Sequence, residues 1–215
     1  MLFLDRQDAG EKLARRLTMY RDQQPFVIAL PRGGVVVGFE VAKALNAPLD
    51  VMVVRKLGAP AQPELGIGAV GPQGVRVLNR ELVRLLGVTD EELESVTRRE
   101  TREMERRLRH FRGDAPMPNL EDRTVILVDD GLATGITARA AIRALRQMNP
   151  AKVILAVPVA APDTVESLRL DVEGLLALEI PEPFNSVGSW YRQFPQTSDE
   201  EVIRLLERGR QRSFV

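Results

Sequence analysis

Residues 125–142 read VILVDDGLATGITARAAI. Four successive aliphatic residues, 125–128, have no polar alternation, which is the pattern of a parallel strand buried on both faces. Ala138, Ala141, Ile142, Leu145 and Met148 then recur at helical spacing, so the stretch reads as strand, loop and helix. In the loop, Gly131, Thr134, Gly135 and Thr137 would bring backbone N–H groups and hydroxyls to a helix N-terminus, where the aligned peptide dipoles favour an anion. Asp129 and Asp130 stand directly beside that cradle. A ligand for this stretch has to carry an anionic group at one point and hydrogen-bond donors close by.

The rest of the chain sets the frame. Its 215 residues, 44% hydrophobic and 28% charged, are an ordinary globular composition. Lys+Arg and Asp+Glu balance at 30 each, so no global basic field would recruit nucleic acid or an anionic membrane, and an anion must be bound locally. With no cysteine there are no disulfides and no thiolate metal sites. The start MLFLDRQDAGEK carries charges after a few apolar residues and does not read as a signal peptide or spanning helix, so the expectation is a cytoplasmic protein with no membrane partner.

Outward from the central motif, Asp5 can cap a first helix with Ala9, Leu13, Leu17 and Tyr20 on one face. FVIAL (26–30) reads as a buried strand, PRGG (31–34) as a turn, VVVGFEVAKAL (35–45) as a helix and DVMVVRKL (50–57) as a second strand, a βαβ unit. GAPAQPELG (58–66) reads as a mobile surface loop, and IGAV with VRVLN around GPQG as a hairpin. Residues 79–111 are helical and heavily charged. After the central motif come strands KVILAVPV and EGLLALEI with a helix between, then a tail helix opened by Ser198 and Glu201. Strands alternating with helices predict a doubly wound, mainly parallel α/β sheet in which three loops, leaving the strands at Leu30, Arg55 and Val128, line one crevice.

Several phosphate-binding designs fail on their diagnostic residues. The loop 129–137 lacks the Lys of a nucleoside-triphosphatase loop, and no G-x-G-x-x-G is present. An acidic pair of the receiver-domain kind belongs near a domain start, whereas this one follows a long α/β region. A sugar phosphate satisfies both halves, with the Gly/Thr backbone on the phosphate and the carboxylates accepting from neighbouring hydroxyls.

VILVDDGLATGIT resembles the phosphoribosyl diphosphate (PRPP) motif of the type I phosphoribosyltransferases, and the chain is closest in character to uncharacterised bacterial members of that family. The resemblance covers about residues 25–180 of a single 1–215 domain, with a helical insertion at about 80–111 and a hood or tail at about 181–215. It implies that Asp129 and Asp130 hold the ribose hydroxyls, while Gly131, Leu132, Ala133, Thr134, Gly135, Ile136 and Thr137 form the 5′-phosphate loop. A polar strand end with a helix cap would account for Asp130 or Thr134 alone, but not for the whole run.

In the same family the loop after the first core strand grips pyrophosphate, and Arg32, Gly33 and Gly34 are similar to it. The segment VRKLGAPAQPELGIG resembles the mobile catalytic loop, which makes Arg55, Lys56 and Glu64 the catalytic candidates: cations for the diphosphate and a carboxylate for proton traffic at the base. Arg55 and Lys56 as solvated strand-end charges is the plain alternative. Ala133 stands where 6-oxopurine enzymes carry an acid, which argues against a hypoxanthine or guanine acceptor. Phe184, Trp190 and Tyr191 are candidates for stacking a base, with packing under the last helix as the competing role. His110, with no partner evident in the sequence, is assigned to the surface. The resemblance implies an Mg²⁺-dependent transferase, the metal arriving on the diphosphate oxygens and not in a protein cage, with PRPP and a nitrogenous base as ligands and a homodimer as the assembly. A non-catalytic PRPP or nucleotide sensor and a ribosyl phosphate hydrolase are the other readings.

Overall fold

The computed structural model describes residues 2–113 and 115–211; the extreme ends of the expected 1–215 domain lie outside them. In chain order the elements are α1 (Arg6–Leu17), β1 (Phe26–Ala29), α2 (Gly33–Leu45), β2 (Leu49–Val51), β3 (Arg55–Ala59), β4 (Gln62–Val70), β5 (Arg76–Leu78) and α3 (Arg80–Leu85). They continue with α4 (Asp90–Arg112), β6 (Thr124–Val128), α5 (Ile136–Arg146), β7 (Lys152–Val159), α6 (Pro162–Leu168), β8 (Gly174–Glu179) and α7 (Asp199–Gln211).

Five strands pair in parallel in the order β2-β1-β6-β7-β8. Alternation along each strand feeds two cores. Val27, Ala29, Ile126 and Val128 face the layer that holds α1, α2 and α7, whereas Phe26, Ile28, Val125 and Leu127 face the layer that holds α5 and α6. This is the doubly wound α/β sheet expected from the sequence. The chain enters at β1, steps to β2 on one side and returns to β6 on the other. The topological switch point therefore lies between β1 and β6, and the crevice outside the carboxyl ends of those two strands is the natural ligand position.

Three sequence expectations are corrected between β2 and β6. Residues 50–57 are not one strand: β2 ends at Val51, and Arg55 opens β3, which belongs to a separate antiparallel sheet β3-β4-β5. The aliphatic run 51–54 fits either arrangement, and the pairing of β3 with β4 decides it. GAPAQPELG is consequently not a loop but most of a hairpin, with Gly58 paired to Gly66 and Ala59 to Gln62. Gly58 is required there because a Cβ would lie 2.2 Å from the Pro63 carbonyl oxygen. The helical run 79–111 is broken at Gly87, with φ of 64°, and α4 restarts with Thr89 and Glu92 in a reciprocal capping box. The hairpin expected around GPQG is present as β4 and β5.

One buried ion pair fastens this excursion at its base. Arg112, at the end of α4, donates from Nε and Nη2 to the Asp50 carboxylate of β2 at 2.8–3.1 Å. Among the described residues no helix is long and apolar enough to cross a membrane.

Candidate functional site

The two loops at the switch point are in contact. Leu30 donates its N–H to the Val128 carbonyl at 2.9 Å, extending the β1–β6 pairing into the loops. PRGG then turns into α2 with the Pro31–Arg32 peptide in the cis form and Arg32 at the N-cap. A Cβ on Gly34 would lie 2.9 Å from the Asp129 Cα, and one on Gly33 would lie 1.9 Å from Asp130 Oδ2. Both glycines are thus demanded by the approach of the first loop to the acidic pair.

Beyond the pair, Leu132 bridges to Ala160, which carries the loop across the end of β7. Gly135 has a φ of 69°, and a Cβ there would also meet Thr164 at 2.6 Å, so two constraints exclude a side chain. The Thr164 hydroxyl donates to the Ala133 carbonyl and fixes the loop from α6. Neither α2 nor α5 has a side chain capping its first turn. Two uncapped helix N-termini, following adjacent parallel strands, therefore flank Asp129 and Asp130, and each directs backbone N–H groups at the crevice.

The carboxylates are held differently. The Asp130 N–H donates to Asp129 Oδ1 at 2.8 Å. Burial, followed by the neighbouring Asp130 charge, pushes the Asp129 carboxyl well above the usual range. Asp130 receives Arg6 Nε on Oδ2 at 2.7 Å, and its backbone carbonyl accepts the Tyr191 hydroxyl at 2.6 Å. Burial, together with Asp130, pushes the Tyr191 phenol upward, keeping it a donor. Arg6 is not among the residues that the sequence motifs single out. The available signal was its place at the start of that helix, where the peptide dipoles disfavour a cation.

The remaining candidates are dispersed around this centre. Lys56 donates Nζ to the Glu64 carbonyl at 2.8 Å across the hairpin. Lys56, Glu64 and Gly66 share a cavity of about 680 Å³ with Asn79, Thr134 and Arg139, so the hairpin and the 131–137 loop face one space. Arg139 is anchored from its other side by Asp171 at 2.6 Å. Arg55 is turned elsewhere, with its guanidinium on Glu100 of α4 at 2.9 and 3.1 Å. Arg32 lies 3.6 Å from Asp199 of α7. His110 is not partnerless as expected: its Nε2 is 3.4 Å from the other oxygen of Asp199. Tyr191 is buried with Phe3, and Phe184 and Trp190 pack on the same cluster. The strap that carries them touches the site through Val187, 2.5 Å from where a Gly131 Cβ would be. Among the described residues no group of three or more His, Cys, Asp or Glu could hold a metal ion.

A family model described as the phosphoribosyl transferase domain matches residues 4–184. The chain belongs to the phosphoribosyltransferase family. Two Mycobacterium tuberculosis proteins, from strains CDC 1551 and H37Rv and each named a "putative phosphoribosyl transferase", are 47% identical to it over 208 residues. That alignment takes in 97% of this chain and 47% of each relative, so the chain spans about half the length of these curated relatives. The crystal structure of TT1426 from Thermus thermophilus is 41% identical, covering 96% of this chain and 98% of that one with a TM-score of 0.82. The AQ2163 protein from Aquifex aeolicus, 12% identical over 85% of this chain and 78% of its own, shares the fold with a TM-score of 0.52. In this phosphoribosyltransferase-family chain, Asp129, Asp130 and the 131–137 loop lie at the crevice between β1 and β6.

Proposed function

We propose that the protein transfers the ribose 5-phosphate of PRPP to a nitrogenous acceptor with release of pyrophosphate. The observation that carries this reading is the pair of uncapped helix N-termini, α2 and α5, on either side of Asp129 and Asp130. Two anion positions separated by hydrogen-bond acceptors match a ligand with a phosphate at one end, a diphosphate at the other and a diol between them.

In this reading 131–137 holds the 5′-phosphate, Asp129 and Asp130 accept from the ribose hydroxyls, and the 32–34 turn receives the diphosphate. The acceptor nitrogen bonds to C1′ as the C1′–O bond to pyrophosphate breaks, and the electron pair leaves on the diphosphate. Charge grows on that leaving group, so cations placed there favour the transition state over the ground state. Arg32 and Lys56 are the two assigned to it. Arg55, bound to Glu100, supports the hairpin on α4 instead.

A metal carried in on the diphosphate would take its ligands from PRPP and water, leaving the acidic pair to the ribose hydroxyls. When bound, it would neutralise diphosphate charge. Glu64, on the cavity shared with Thr134, is the carboxylate assigned to proton traffic. The acceptor is assigned to the 184–190 strap, with Phe184 and Trp190 as the candidates for stacking it. Ala133 provides no acid in the phosphate loop, which favours acceptors other than hypoxanthine or guanine. A cytoplasmic homodimer is the proposed setting.

The test is PRPP- and Mg²⁺-dependent pyrophosphate release against a panel of nucleobases and heterocyclic amines. Release that depends on one acceptor class establishes the transferase. Tight PRPP binding without release replaces it with a sensor, and release without any acceptor replaces it with a hydrolase.

A further inference from the structure

Arg6 is a buried cation in the place where the first helix, the PRGG turn, the acidic pair and the tail converge. Its side chain is 10% exposed. Nε donates to Asp130 Oδ2 at 2.7 Å, Nη1 donates to the Pro195 carbonyl at 2.7 Å, and the guanidinium lies 3.7 Å from the centroid of the Phe194 ring. On the remaining side a Cβ on Gly33 would come within 2.6 Å of Nε. These four contacts all come from the candidate site or from the tail packed on it.

We infer that Arg6 is a positioning residue for the sugar-binding carboxylate: it holds Asp130 by one oxygen, presents the other to the ligand's diol, and offsets the charge of the acidic pair toward an incoming diphosphate. The inference rests on the PRPP reading above and adds a residue that the phosphate motifs do not contain.

Four points support it. Arg6 engages Oδ2 alone, so the carboxylate is oriented with Oδ1 as its remaining acceptor. The backbone of the same residue is fixed separately by Tyr191, so both ends of Asp130 are held. A buried ion pair is also a weak device for stability alone, since an apolar side chain of similar size fills such a slot about as well. A cation at the first position of α1 opposes the helix dipole, and such local inconsistencies collect at functional sites.

The experiment is a double-mutant cycle read by calorimetric binding of PRPP with Mg²⁺ to the full chain. Arg6→Met should weaken binding on the order of 30-fold, as expected for loss of a charge-assisted hydrogen bond that orients a ligand group. In the Asp130→Asn background the same substitution should cost less than about threefold, because the partner through which Arg6 acts is gone. Arg6→Lys, which keeps the charge, should recover part of the loss, and it carries the cycle if Arg6→Met does not fold. An equal loss in both backgrounds, or an Arg6→Met variant that binds as wild type does, overturns the inference. Wild-type protein that does not bind PRPP at all overturns the ligand reading itself, a result visible before any variant is made.

Discussion

Gly33 lies against the carboxylate of Asp130 so closely that a single added carbon would stand 1.9 Å from Oδ2. The PRGG turn and the acidic pair are therefore one packed unit, although they are almost a hundred residues apart in the chain. Gly33→Ala should force the carboxylate off its bond with Arg6. The expected cost is roughly 1–3 kcal/mol of stability, typical of overpacking, together with PRPP binding weakened by about tenfold or more. Calorimetry and thermal melting measure both, and unchanged affinity in the alanine variant would detach the turn from the ligand site.

The acidic pair gives a pH signature. Burial and the Asp130 charge raise the Asp129 carboxyl above its ordinary value of 3.8, against a smaller opposing field from Arg6. The folded state then holds that proton more tightly than the unfolded chain does, so wild-type stability is penalised increasingly as pH rises above that value. Asp129→Asn removes the penalty. Its melting temperature relative to wild type should climb from about pH 4 towards neutrality, and a difference that stays flat across that interval contradicts the assignment.

Ligand binding separates the two carboxylates from their structural roles. Asp129→Asn with Asp130→Asn should weaken PRPP binding by about 1.5–3 kcal/mol for each charged hydrogen bond lost, with the fold retained. A folded double variant with wild-type affinity leaves the ribose without its proposed partners.

Lys56 separates catalysis from binding. Its side chain is exposed on the hairpin, so Lys56→Ala should alter stability by no more than about 0.5 kcal/mol. If Nζ exchanges the Glu64 carbonyl for departing pyrophosphate, kcat should fall on the order of 10²-fold with a smaller change in KM. Steady-state kinetics decides it: a raised KM with kcat intact reduces the lysine to a ground-state contact.

The legible parts of the sequence were those where local pattern and tertiary outcome agree. The 125–128 run, the acidic pair and the glycine-rich turn carry fold and site in one continuous stretch, and PRGG follows a strand of the same character. The segment 50–66 was misread because its Gly and Pro residues mark a bulged hairpin as readily as a free loop, and only the pairing with β4 distinguishes them. Arg6 and the partners of His110 and Arg55 were out of reach for another reason. Their contacts, with Asp130, Asp199 and Glu100, span 45 to 124 residues or join separate helices, and no local spacing encodes them.

Replacing Arg112 by Met should leave the Asp50 carboxylate buried, with Arg210 at 3.4 Å as the cation still nearby. A loss towards the lower end of about 3–5 kcal/mol is expected, and adding Asp50→Asn should restore part of it. Chemical denaturation of the three variants measures this; strict additivity would deny the pair any coupling.

That same pair has a meaning for how such a protein can change. Asp50 lies in β2, where the chain leaves the main sheet, and Arg112 ends α4, so one buried ion pair closes the base of the segment that holds both helices and the whole three-stranded sheet. The segment is a cassette with a fixed inner face: Ala69, Val75 and Val77 enter the α5 layer and Met104 and Phe111 the α2 layer, so it is the exposed charge and hairpin sequence that can be rewritten while the register of β2 against β1 stays as it is. Lys56 and Glu64 lie within the cassette, whereas the 131–137 loop and the acidic pair lie outside it. New reactivity could thus be acquired by exchanging the exposed part of one segment over an unaltered β1–β6 crevice, and chimaeras joined at Asp50 and Arg112 that keep its buried face are the natural place to look for it.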